Sequence, residues 1–173
     1  PTHASAPVRL GSGSAWVEIA PAEVREVEGA NVKNCLVFAD AADDLDLVYV
    51  REAGRVEELR LARTKAAASH ARWNLRLGPA MRAVQIVDGR IEIVDDAGKV
   101  AFASEPPFAV DANGTRRALS LSLHGSTVDA TLDTEAEALF GAPVWRFAAS
   151  QGLLACHAAA VVGDSGRGLV LRA

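Results

Sequence analysis

Apolar and polar residues alternate along most of this chain, and the alternating runs are cut by short steps such as Asp88-Gly89, Asn113-Gly114 and Gly125-Ser126. Successive side chains on a strand point to opposite faces, so a period of two predicts half-buried antiparallel strands, and Asp-Gly or Asn-Gly predicts the tight turns between them. The segments Ala15–Ala20, Val32–Phe38, Leu45–Arg51, Arg55–Ala62 and Arg72–Leu77 read as strands. In Arg55–Ala62, Glu57 and Glu58 interrupt the alternation and mark a bulge or a strand end. The runs Val84–Val87, Arg90–Val94 and Val100–Phe102 form an expected meander, and Leu119–Leu123 with Val128–Leu132 an expected hairpin. This many short strands with short connections imply a mainly β protein, an antiparallel sandwich or two packed sheets.

The ends read differently. Residues 1–14, opening Pro1-Thr2-His3-Ala4-Ser5-Ala6-Pro7, are expected to be an extended tail, and residues 15–133 the sandwich-like domain. After Leu132 a short helical segment is expected near 134–151: Asp133 or Thr134 caps a short helix through Phe140, and Pro143 opens a second helical turn ending near Gly152, with a strand at Val144–Phe147 as the equal alternative; Leu154–Leu171 reads as a C-terminal hairpin packed on it or leading to the next domain. The run Leu169-Val170-Leu171 just before Ala173 suggests a piece of something longer, and a signal peptide is expected to be absent or already removed.

Composition narrows the function classes. Half of the 173 residues are hydrophobic but only 5% are aromatic, so the core is expected to be aliphatic. A net charge of −4 leaves no basic surface able to neutralise several phosphates, which argues against nucleic acid as partner. No apolar run reaches the roughly 18 residues that span a bilayer, and the longest, Leu153–Val162, contains His157. Cys35 and Cys156 match no zinc or redox spacing, and free thiols and a single disulfide both remain open.

Candidate chemistry is sparse. Asp40, Asp43, Asp44 and Asp46 form the densest acidic feature and are the candidate calcium ligands, although the run lacks the spacing, glycine and terminal glutamate of an EF-hand loop. The competing reading is a turn held by aspartate side-chain to backbone bonds. His70, His124 and His157 stand in unrelated contexts, and Ser165 in Gly163-Asp164-Ser165-Gly166 lacks the strand-turn-helix setting of a nucleophile elbow. Glu57-Glu58 and Asp95-Asp96 are adjacent pairs whose members face opposite sides of a strand, so neither pair is an acid/base couple. Trp16, Trp73 and Trp145 are dispersed, as core or sheet-face residues are. The expectation is a protein without catalytic residues and without a cofactor.

The run from Val37 to Tyr49, followed by Gly54-Arg55-Val56-Glu57-Glu58-Leu59, is similar to the β-rich N-terminal region of large secreted bacterial proteins that carry YD/Rhs-type, kelch-like or β-propeller repeats. The similarity continues through Trp73–Leu77, Asp88–Ile93, Asp95–Val100 and Pro106–Gly114. Asp43-Asp44 replaces the Pro-Gly turn of that family, and Ala142-Pro143-Val144 stands where it has Tyr-Pro-Val. The resemblance implies a non-catalytic scaffold or spacer of a secreted or surface protein, whose partners are other domains of the same precursor or a surface protein. A second resemblance, of Phe147–Val162 and Gly166–Leu171 to the elements preceding the phosphate loop of HPr-kinase-like proteins, implies an N-terminal fragment of a nucleotide-binding protein lacking that loop. A calcium- or carbohydrate-binding β module is the third expectation.

Overall fold

The computed structural model describes residues 1–111, 114–132 and 141–149. Two antiparallel sheets follow from the alternation. The smaller contains β1 (Val8–Ser12), β2 (Ala15–Pro21), β7 (His70–Leu77), β13 (Ser120–His124) and β14 (Thr127–Thr131), in the order β1-β2-β7-β14-β13. The larger contains β3 (Ala30–Val32), β4 (Cys35–Ala42), β5 (Leu45–Glu52), β6 (Arg55–Ala62), β8 (Met81–Val87), β9 (Arg90–Asp95), β10 (Val100–Ser104) and β15 (Gly141–Ala149), in the order β3-β4-β5-β6-β15-β10-β9-β8. The short strands β11 (Phe108–Asp111) and β12 (Arg116–Ala118) join it through β15.

Strand order in the large sheet is local except at its centre. β3 to β6 are successive hairpins, as are β8 to β10. Between these two meanders lies β15, whose residues Val144–Ala148 pair with Leu59–Arg55 of β6. On its other side Phe147–Ala149 pair with Ser104–Phe102 of β10, and Gly141–Val144 pair with Asp111–Phe108 of β11.

The core fills the space between the sheets. Val17, Ile19, Trp73, Leu75, Val128 and Ala130 of the small sheet meet Phe38, Leu47, Tyr49, Ile91, Ile93 and Phe102 of the large one. Phe38 and Tyr49 add an edge-to-face ring contact with centroids 6.0 Å apart. The opposite face of the large sheet is also apolar and carries a second cluster of Cys35, Val48, Leu59 and Phe108, with Val37, Val50, Leu61 and Val110 part-buried around it.

Turn chemistry acts where the sequence places it. Asp88 and Gly89 have φ of 50° and 71°, the pair of positive values that a two-residue hairpin turn needs to match strand twist. Gly11 has a different reason for lacking a side chain. At φ 93° a Cβ there would lie 2.2 Å from the Ala15 carbonyl oxygen and 2.8 Å from the tip of the Phe102 ring. Gly11→Ala is therefore expected to cost at least about 2 kcal/mol, from left-handed strain plus a clash with backbone that cannot yield, measured as a shift of the urea midpoint.

Several expectations are corrected. The expected extended tail contains β1, whose five residues pair along β2, and Ala4 is fully buried. Val32–Phe38 is two strands, because Lys33 takes φ 56° and turns the chain between β3 and β4. Glu57 and Glu58 mark neither a bulge nor a strand end, since β5 and β6 pair without interruption from Leu45↔Ala62 to Glu52↔Arg55. In the region 134–151, residues 141–149 are strand, which agrees with the strand alternative at Val144–Phe147 and not with a helical turn opened by Pro143, and among the described residues a short helix, α1, lies at Lys65–Ala68 behind the Thr64 N-cap. A helix over 134–140 and the C-terminal hairpin at 154–171 lie outside the described residues.

Candidate functional site

Three charged constellations concentrate polar chemistry among the described residues, and in each the charged side chains are mainly paired with one another. The first contains the candidate calcium ligands. β4 and β5 lose register between Phe38 and Ala42, and within this bulge Asp40 takes φ 52°. A bulge leaves backbone groups without ladder partners. Here the Asp40 amide donates to Asp46 Oδ1 at 2.8 Å, and Arg63 spans the two carboxylates, donating from Nη1 to Asp46 at 2.8 Å and from Nη2 to Asp40 at 2.5 Å.

Arg25 holds Asp43 in an ion pair and reaches the Asp40 carbonyl, while Asp44, at φ 55°, lies at the hairpin turn. Hydrogen bonding to Asp46 heads the causes that hold the Arg63 guanidinium above its ordinary pKa. The guanidinium occupies the place between Asp40 and Asp46 that a cation would take. Among the described residues no group of three or more His, Cys, Asp or Glu side chains is arranged to hold a metal ion. Titration with millimolar calcium is expected to give no saturable heat for the natural chain. Arg63→Ala, which frees Asp40 and Asp46, is the variant in which weak heat would first be seen by calorimetry.

The second constellation lies on the face of the small sheet turned away from the core. Asp129 Oδ1 accepts from His70 Nε2 at 2.9 Å and from Arg72 Nε at 2.6 Å, while Glu23 accepts from Arg72 Nη1 at 2.8 Å and lies 3.6 Å from His70 Nδ1. The β7–β14 register opposes Arg72 to Asp129 and thereby sets the geometry. Burial of Asp129 by itself raises its pKa, but the hydrogen bonds and positive charge of His70 and Arg72 together outweigh burial and hold the carboxyl below its ordinary value.

The pH dependence follows from that sign. A carboxyl whose pKa is lower in the folded state stabilises the fold at pH above its unfolded value, about 3.9, and loses that contribution as pH falls through its folded value. Asp129→Asn is therefore expected to flatten the acid limb of the stability curve below about pH 4 while leaving the limb above pH 8 parallel to that of the natural chain, as measured by denaturant midpoints across pH.

On the same face Trp16 is only 7% exposed because Arg9 and Arg76 lie over its ring, 4.2 and 5.2 Å from the centroid. Glu18 lies between the two arginines at 3.7 and 3.5 Å. The ring is covered by protein rather than presented to a ligand.

The third constellation was missed by sequence reasoning. Glu58 points into the inter-sheet core, where it accepts hydrogen bonds from the Tyr49 hydroxyl at 3.1 Å, Arg60 Nε at 2.9 Å and Trp73 Nε1 at 2.9 and 3.0 Å. Arg60 stacks over the Trp73 ring at 4.7 Å, and its Nη2 is buried without a hydrogen-bond partner. Burial, then the neighbouring Glu58 charge, pushes the Tyr49 hydroxyl far above its ordinary pKa, so it stays protonated and donates. The signal available in sequence was the break in alternation at Glu57-Glu58, since an acidic residue at a core-facing strand position has to find donors.

Of the remaining candidates, His124 ends β13 in an exposed position, Cys35 is a buried free thiol, and Trp73 is a core residue 1% exposed. Cys156, His157 and Ser165 lie outside the described residues, as do the side chains of β15, Trp145 among them. A hollow of 420 Å³ is lined by Pro1, Thr2, His3, Glu28, Gly29, Asn31 and Leu36. Among the described residues no helix is long and apolar enough to cross a membrane.

These features define a mainly β protein of two packed antiparallel sheets with self-neutralised charge clusters. No family model matches the chain, and neither the curated proteins nor the solved structures compared with it give a match.

Proposed function

We propose that the chain is a non-catalytic structural or interaction domain of a secreted or surface bacterial protein, acting as a scaffold or spacer for other domains of the same precursor or for a surface partner. The observation that supports this reading is that, among the described residues, the sequence candidates Asp40, Asp43, Asp46 and His70 are engaged by charged neighbours. Asp40 and Asp46 are held by Arg63, Asp43 by Arg25, and His70 by Asp129 and Glu23. Catalysis needs a nucleophile, base or acid whose lone pair or proton is open to a substrate, and ligand pockets need convergent polar groups in an apolar cleft. Side chains that satisfy one another serve rigidity, which is what a spacer requires.

The reading is tested by thermal-shift measurement of the purified chain against divalent metals, nucleotides and simple sugars. No ligand is expected to raise Tm by more than about 1 °C, and a saturable stoichiometric stabilisation by any of them would overturn the scaffold reading. Cell fractionation of the source bacterium tests the location, with the protein expected in the surface or culture fraction.

A further inference from the structure

The large sheet ends in two edge strands, β3, which is three residues long, and β8, which is seven. Natural sheets blunt a long edge with charge, proline or a covering element. Along β8 the residues Ala83-Val84-Gln85-Ile86-Val87 carry neither charge nor proline, and among the described residues no strand pairs with their outer side. The direction of the free backbone groups follows from the hairpin. Val87 and Arg90 close the two-residue turn at Asp88-Gly89 and exchange both ladder hydrogen bonds, so along the alternating ladder Gln85 also bonds inward to Glu92. The N–H and C=O groups of Val84 and Ile86 therefore face away from β9, into the open edge. At the two ends of this stretch stand Arg82 and Asp88, both exposed and without an ion-pair partner among the described residues.

We propose that β8 pairs antiparallel with β8 of a second copy of this chain, about a two-fold axis at Gln85. With Gln85 opposite Gln85, Val84 meets Ile86 and Ala83 meets Val87, so apolar side chains face apolar ones. In that register each Val84–Ile86 pair exchanges both of the hydrogen bonds that the open edge leaves unmade. It also sets Arg82 against Asp88 at both ends, so the charges left unpaired within one chain neutralise each other between chains. The neighbouring registers fail on charge. An axis at Val84 opposes Arg82 to Ile86, and an axis at Ile86 opposes Asp88 to Val84. The β8–β9 ladder is irregular between Met81 and Ala83, which confines the inter-chain ladder to residues 83–87 and leaves the long Arg82 side chain to reach Asp88. The edge strand of the small sheet, β13, sets only Ser120 against His124 in the equivalent register and has no such charge pair. A ladder this short is smaller than a permanent dimer interface, so the association depends on concentration, with Kd on the order of micromolar.

Sedimentation velocity over a concentration series of the whole chain is expected to show a monomer–dimer equilibrium that weakens as sodium chloride is raised. Gln85→Lys places two like charges opposite each other across the axis, while the lysine replaces the Gln85 amide as a partner for Glu92, which that amide reaches at 3.1 Å. The variant is expected to raise Kd at least about tenfold with far-ultraviolet circular dichroism unchanged. A chain that stays monomeric at the highest concentration, or a dimer unmoved by Gln85→Lys in a folded variant, would overturn the proposal. If the lysine unfolds the protein, disulfide trapping in a Cys35→Ala, Cys156→Ser chain gives an independent answer. Gln85→Cys in that background is expected to oxidise to a covalent dimer, because opposed residues of a non-hydrogen-bonded antiparallel pair lie about 4.5 Å apart at Cα, within disulfide reach. Ser122→Cys, on β13, is expected to stay monomeric under the same oxidation. No covalent dimer through Gln85→Cys, or equal trapping through Ser122→Cys, would overturn it.

Discussion

Glu58→Ala is expected to lower stability by about 3–5 kcal/mol, the usual cost of removing one partner from a buried ion pair. Three donors lose their acceptor at once, namely the Tyr49 hydroxyl, Trp73 Nε1 and Arg60 Nε, all within hydrogen-bond distance of Glu58. The Arg60 charge is then buried beside the Trp73 ring without the Glu58 carboxylate. Replacing both charged partners, Glu58→Leu with Arg60→Met, is expected to cost less than Glu58→Ala alone, because an uncompensated charge is worse than a lost pair. Guanidinium unfolding of the single and double variants measures the difference. A double variant less stable than Glu58→Ala would mean that the pair stabilises the core by net attraction.

Phe38→Ala is the second large effect, about 3–5 kcal/mol for an aromatic ring removed from a close-packed site, corresponding to a fall of roughly 10 °C in Tm for a protein of this size. Phe38 is fully buried, packs edge-on against Tyr49, and fills the space beside Gly29, where a Cβ would lie 2.6 Å from its Cε1. Aromatic residues are only 5% of the chain, so the aliphatic neighbours are too short to close the cavity. Calorimetry checks this, and a loss below about 1 kcal/mol would show that the sheets collapse into the gap.

How much of this was legible in the sequence depended on whether the partner was close in the chain. The meander of β8 to β10 and the hairpin of β13 and β14 were expected from local turns, and the strands formed with those partners. Alternation gives the face a side chain occupies but not the strand it pairs with. The insertion of β15 between β6 and β10 was therefore invisible, and a Pro143 that suits a helix start equally suits a strand. Glu58 was misread for much the same reason, because two of its donor residues, Tyr49 and Trp73, come from the neighbouring strand and from across the sandwich, while Arg60 lies two residues along its own strand. The acidic run was recognised as a turn or a cation site, but Arg25 and Arg63, which occupy it, are remote in sequence.

The position of β15 also bears on how the molecule is made. A ribosome delivers the β3–β6 meander and the β8–β10 meander long before Gly141 emerges, and until then each presents a bare edge where the other should be joined. Those edges are templates for pairing with neighbouring nascent chains. The described large sheet is complete only when β15 slots between two finished meanders, so closing these distant parts is expected to be slow, and chains interrupted before residue 141 are expected to clump more readily than the whole chain.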